Sequence, residues 1–217
     1  MVEWGMLKKP LLLLVLAVAV PSLASANPGF SFHEKMAGTA WIDGVKTKIS
    51  VDLIAAVADV DAWQANADHP ATLVGTAKIG GHKLPITGTL TLFNHGMNPE
   101  GKPGHFLHYM LGGSTTDGWL KFDGSKFVPD GFDWNLLHDM TTLTGSLQSE
   151  FAAEKTLTSL DSPFRMRFEW WKPWILIPFT ASFRPTGCKD LAEKVRTEGK
   201  FFLTFLGALF GHPHREE

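Results

Sequence analysis

Apolar and polar positions alternate with a period of two along much of the chain, the pattern of half-buried β-strands. Within residues 84–93, Ile86, Gly88, Leu90 and Leu92 fall on one side and Thr87, Thr89 and Thr91 on the other. Residues 73–79 form a second such run, and Gly80-Gly81 between the two supplies the positive φ that a tight hairpin needs. Residues 106–111 predict a further strand. Residues 119–127 are expected to fold as a second hairpin with Asp123-Gly124 at its centre, a pair that type I′ turns favour. Phe164, Met166, Phe168 and Trp170 alternate with Arg165, Arg167 and Glu169, giving one apolar and one charged face. Residues 175–183 continue after the break at Lys172-Pro173. Two segments change to helical spacing. Residues 57–67 are short and Ala-rich, following a strand that ends near Leu53. In residues 190–210, Leu191, Val195, Phe202, Phe205, Leu206 and Leu209 recur at near-helical intervals, against the weakening effect of Gly199 and Gly207.

Short strands separated by Gly- and Pro-rich turns predict a mainly β fold, an antiparallel barrel or sandwich of calycin- or lipocalin-like type. It carries one short helix and a C-terminal helix. The β domain is expected over residues 27–189, with the helix and tail of residues 190–217 packed on or beside it. Residues 1–26 read as a signal peptide. Lys8 and Lys9 flank an unbroken apolar run at residues 11–20, and Ala24-Ser25-Ala26 is a small-residue cleavage site. That run is about half of the roughly 20 residues a membrane span requires. The mature chain is therefore expected to begin at Asn27 and to be periplasmic or secreted.

A formal net charge of −2 over 217 residues gives no basic footprint for nucleic acid. Cys188 is the only cysteine, which rules out an internal disulfide. The nine histidines show no zinc-like spacing, and G-x-S-x-G, P-loop and dinucleotide motifs are missing. No catalytic residue, metal ligand or cofactor is therefore expected. His33-Glu34 and His138-Asp139 are neighbours in sequence, and neighbours on a strand point to opposite faces. An enzyme without a motif, such as a cofactor-free isomerase, cyclase or hydrolase, would instead need polar side chains meeting inside the barrel. His33, Glu34, His108 and Asp133 are the candidates.

The aromatic content alters the picture more, with eight tryptophans and sixteen phenylalanines. Trp suits the boundary between apolar and wet surroundings. Trp170 and Trp171 must lie on opposite faces of a strand, so one of them meets solvent, a ligand, a partner, a membrane surface or the C-terminal helix. Trp41, Trp119, Trp134, Trp170 and Trp174 are the expected lining of an apolar ligand site. Phe201, Phe202 and Phe205 are the expected contacts if the last helix meets a membrane surface.

Several phrases, read in order, carry a family resemblance. Residues 32–38, with Phe32, Glu34, Met36 and Gly38, resemble the opening of a β domain that accompanies bacterial GMC-type, cholesterol-oxidase-like flavoproteins. Residues 57–63, 71–77 and 84–93 are similar to the segments that follow in that domain. So are His108-Tyr109-Met110-Leu111, Phe132-Asp133-Trp134 with Met140-Thr141-Thr142-Leu143, and the close at residues 199–203. These residues contain no dinucleotide-binding motif and no flavin-binding domain is expected in them, so the oxidase activity of those flavoproteins does not follow. The resemblance implies a free-standing accessory β domain that handles sterols, other terpenoids or fatty acyl chains. A separate reading is a structural partner that docks on an oxidoreductase or membrane complex, with a flavoprotein or transporter as the expected partner.

Overall fold

Eight strands pair in chain order, each antiparallel to the next, and the eighth pairs back to the first, so the sheet closes. The computed structural model describes residues 27–130, 141–151, 157–168 and 182–210. Its elements are β1 (Gly29–Ile42), β2 (Val45–Val57), α1 (Val60–Ala65), β3 (Pro70–Ile79), β4 (His82–Met97), β5 (Pro103–Thr115), β6 (Gly118–Pro129), β7 (Thr142–Phe151), β8 (Leu157–Phe168), β9 (Arg184–Thr186) and α2 (Leu191–Phe210). β8 pairs with β1 along Met36–Ala40, and the short outer strand β9 takes Gly29–Ser31, the part of β1 that β8 leaves open. Of the expected antiparallel barrel or sandwich, the barrel is what forms, with a short helix and a C-terminal helix.

The two ends of the barrel differ. β1–β2, β3–β4 and β5–β6 are joined by two-residue turns at one end. Asp43-Gly44 and Gly80-Gly81 both take positive φ at both positions, the conformation that matches the twist of the strands they join. The opposite end carries the longer connections, α1, β9 and α2, and is called the helix end below. Asp59 starts α1 by accepting the backbone N–H groups of Asp61 and Ala62 at 2.9 and 3.0 Å.

Alternation places Phe30, Phe32, Met36, Ala40 and Ile42 of β1 inside, and the other strands follow the same rule. An eight-stranded barrel is just wide enough for side chains to fill. Leu53, Leu73, Leu90, Leu147 and Met166 have no exposure, so among the described residues the lumen at their level is packed. Strong coiling brings strands unusually close. A Cβ on Gly88 would lie 1.8 Å from the Met110 carbonyl oxygen, so only glycine fits where β4 crosses β5.

One expected hairpin is corrected. β6 runs unbroken through Asp123 and Gly124, and the turn before it lies at Thr116-Asp117. Asp123 faces outward to His108 on β5, while Gly124 faces the lumen. There a Cβ would come 2.7 Å from the Phe164 ring. Crowding inside the barrel, not a turn, selects this glycine. The strand expected at residues 175–183 lies, up to residue 181, outside the described residues.

Candidate functional site

Three polar side chains meet inside the barrel. Glu34 continues the inward line of β1 after Phe30 and Phe32. Tyr109 lies between Leu107 and Leu111 on β5, and Lys126 between Gly124 and Val128 on β6. β1 and β5 are four strand steps apart in either direction around the eight-stranded wall, so Glu34 and Tyr109 reach each other across the lumen. The Tyr109 hydroxyl donates to the Glu34 carboxyl, 2.8 Å from Oε2 and 3.1 Å from Oε1. The Lys126 ammonium donates to Oε1 at 3.3 Å and stands 4.8 Å from the centre of the Tyr109 ring. Side-chain exposure is 1% for Lys126 and 5% for Glu34, and Tyr109 has none.

Dry surroundings dominate the electrostatics. Burial holds the Lys126 ammonium below its ordinary value, and the adjacent Glu34 carboxyl pulls the other way. Burial, reinforced by the charge and hydrogen bond of Glu34, raises the Tyr109 phenol well above 10.0. Such a group can hold or relay a proton, or receive the polar end of a ligand.

The helix end closes over this triad with aromatic rings. Phe30 lies 4.9 Å from Phe201 of α2, 5.0 Å from Phe183 and 5.1 Å from Trp63 of α1, centre to centre. Phe183 and Phe201 lie 4.6 Å apart with their rings tilted by 33°, and Phe32 sits 6.1 Å from Phe201. Phe32 is two residues before Glu34 on one face of β1, so this ring layer lies roughly 7 Å along the strand from the triad. Polar contacts hold α2 to α1. Gln64 donates to the Lys200 carbonyl and the Thr204 hydroxyl, and the Lys200 ammonium pairs with Asp61.

The sequence-predicted site residues divide. Glu34 is inside the barrel; His33 and His108 are outside, paired across strands with Asp52 and Asp123. Trp41 and Trp119 lie on the outer face, exposed, with the Trp119 indole N–H donating to Glu150 at 3.2 Å. The structure does not bring these two together or turn them to the lumen. Trp134, Trp170, Trp174 and Asp133 lie outside the described residues. Phe201 is buried against the barrel, and Phe202 and Phe205 are half-buried beside it. Among the described residues no group of His, Cys, Asp or Glu is placed to hold a metal ion, and no helix is long and apolar enough to cross a membrane. Tyr109 and Lys126 were missed as site residues. The available signal was Lys126 in register with Leu120, Phe122 and Val128, but placing a turn at Asp123-Gly124 breaks that line. No protein-family model matches the chain, and no curated protein or solved structure matches it either.

Proposed function

We propose that the chain is an exported binding domain for an apolar molecule, a sterol, terpenoid or fatty acyl chain, or for a lipid surface, and that it binds at the helix end. The observation that carries this reading is the layer of aromatic rings from β1, α1, the segment before β9, and α2, closed by a single helix. At the other end, three of the connections, β1–β2, β3–β4 and β5–β6, are two-residue turns that hold the strands tightly. Among the described residues α2 is held through a ring layer and a few polar contacts, and an element held in that way belongs to the part of a fold that opens at low free energy. Once lifted, it uncovers apolar surface that gains about 25 cal/mol per Å² when a ligand replaces the helix. Leu191, Val195 and Leu203 on α2 are exposed, so the helix has further apolar side chains to offer a lipid surface. The leader at residues 1–26 fits an exported protein of this kind.

The buried triad supports a second reading, a cofactor-free isomerase, cyclase or hydrolase acting on a lipid-like substrate. Convergent polar groups with displaced titration are a mark of acid–base sites. In that reading Glu34 takes a proton from the substrate and Tyr109 donates one.

The test is to express the whole sequence with its leader, purify the product and analyse its organic extract by mass spectrometry. A stoichiometric apolar molecule, lost on Phe202→Ala, is expected. An empty protein whose urea midpoint is unmoved by fatty acids, sterols and terpenoid alcohols refutes the binding reading. Turnover of such a compound, abolished by Glu34→Gln, decides for the enzyme.

A further inference from the structure

At the rim of the helix end, four buried polar atoms lack a hydrogen bond of ordinary geometry, Trp63 Nε1, His69 Nδ1, Thr91 Oγ1 and Asn94 Oδ1, although the His69 ring also faces the backbone of Ala67 and Leu92. Such atoms are rare in folded proteins and each calls for an explanation. These four lie in one region of the fold, on α1, the connection to β3, and the end of β4. The Trp63 and His69 rings are 4.9 Å apart, and His69 and Phe93 are 6.2 Å apart. Pro70, next to His69, pairs with Thr91, and the Asn94 amide nitrogen faces the Asp68 carboxyl at 3.5 Å. Trp63 itself is only 2% exposed.

The backbone is also held in an unusual form here. The register of β4 shifts between Thr91 and Asn94. Phe93 within that bulge takes φ 64, and His69 takes φ 42, conformations that non-glycine residues seldom adopt. Strain of this kind gathers at ligand sites. Apolar surface adjoins the orphan atoms, since Phe93 meets Phe205 of α2 at 5.6 Å.

The four atoms define what would satisfy them. Trp63 Nε1 can only donate, so the occupant must accept. Asn94 Oδ1 can only accept, so the occupant must donate. Thr91 Oγ1 and His69 Nδ1 can serve either way. A hydroxyl does both with one oxygen. A carboxylate offers no donor and would meet the Asp68 carboxyl, and an ammonium offers no acceptor for Trp63.

Resting on the binding reading above, we infer that this rim is a recognition site for the hydroxyl of an apolar alcohol, whose hydrocarbon part lies against Phe93 and Phe205. The site is separate from the triad in the lumen and sets the polar end of the ligand at the barrel mouth.

Calorimetric titration of the full-length exported protein with 1-dodecanol, dodecanoate and dodecylamine tests it. Wild type is expected to prefer the alcohol by tenfold or more. Trp63→Phe, which keeps a ring but removes the donor, should abolish that preference and leave weaker, unselective binding. Thr91→Val provides the same comparison at a half-buried position if Trp63→Phe fails to fold. Equal binding of the three probes by wild type, or a preference surviving both substitutions, overturns the rim site and leaves the binding reading standing. A protein that takes none of the probes overturns both, with resident water then satisfying the four atoms.

Discussion

Replacing Lys126 by Met removes one partner of a dry ion pair while nearly preserving side-chain volume. At the observed 3.3 Å, two unit charges attract by about 5 kcal/mol if the effective dielectric constant is about 20. The wild-type protein does not gain all of this, because burying each charge costs several kcal/mol in lost hydration. The substitution loses the attraction but leaves Glu34 where it is, with its desolvation uncompensated. Lys126→Met should therefore destabilise by about 3–5 kcal/mol, the range for breaking a buried pair. That is a large share of the 5–15 kcal/mol typical of a domain. With a urea m-value of about 2–3 kcal/mol/M, the midpoint should fall by roughly 1–2.5 M.

The informative comparison is the triple variant Glu34→Leu, Tyr109→Phe, Lys126→Met. It removes every polar atom of the triad while keeping similar volumes, so no charge or hydroxyl of the triad is stranded. Replacing a buried ionic cluster by packed apolar groups is often neutral or stabilising by about 1–4 kcal/mol. The triple variant should therefore be at least as stable as wild type, although it contains the substitution that is damaging alone. Urea unfolding followed by circular dichroism measures both. A loss below about 1 kcal/mol for Lys126→Met would mean that the pair is not dry. A triple variant as unstable as the single one would mean that the triad specifies the shape of the lumen, and the reasoning from desolvation would be refuted.

Tyr109 is the only tyrosine, so tyrosinate absorbance reports this site alone. Its raised phenol keeps its proton when the unfolded chain gives it up near pH 10, so the stability it contributes is present below pH 10 and lost as pH rises further. Tyrosinate should appear only together with unfolding, and reversible titration near pH 10 in folded protein would contradict the buried geometry. Burial lowers the His69 imidazole from 6.5, so the unfolded chain binds a proton that the folded one refuses between that lowered value and 6.5. Stability should fall as pH drops through this window, and His69→Asn, which tolerates the same φ, should flatten the slope in urea titrations at pH 7 and below; an unchanged slope counts against it. Gly88→Ala should cost about 3 kcal/mol or more, since its Cβ meets a carbonyl oxygen. Gly199→Ala meets nothing within 4 Å on α2 and should stabilise by up to about 1 kcal/mol, and thermal unfolding of the two variants should move in opposite directions.

The strands were legible because alternation is a direct record of which face is buried. The run Ile86, Gly88, Leu90, Leu92 predicts both the strand and its inward side, and Gly80-Gly81 predicts the turn before it. Asp123-Gly124 misled because glycine has two uses, a positive φ in turns and the absence of a Cβ in crowded places, and one sequence cannot tell them apart. The triad was half legible. Glu34 interrupts an apolar line on β1, which marks it as inward, but its partners are 75 and 92 residues away in the chain and arrive only through closure of the barrel. The rim was not legible at all. Trp63, His69, Thr91 and Asn94 are ordinary residues in sequence, and what distinguishes them is the absence of partners after folding.

Consistency between local preference and overall fold is what makes a sequence specify one structure, and natural chains break it at functional sites. The breaks in this barrel are not spread evenly. Among the described residues of the tight-turn end, Asp43 is the one non-glycine residue with positive φ, and it sits in a turn that requires it. The other two, His69 and Phe93, are at the helix end. So, among the described residues, are four of the five unpartnered buried polar atoms, Ser149 on β7 being the exception. Glu34 lies nearer the helix-end start of β1 than its far end, and Lys126 is three residues from the helix-end limit of β6. Each feature lowers stability where a more ordinary residue would raise it, and a structural account of any one would leave the others unexplained. Their gathering under the helix that also covers the ring cluster of Phe30, Trp63, Phe183 and Phe201 is explained if that end takes a ligand with an apolar body and a polar tip. The barrel wall then serves to hold these residues in place against the strain they impose.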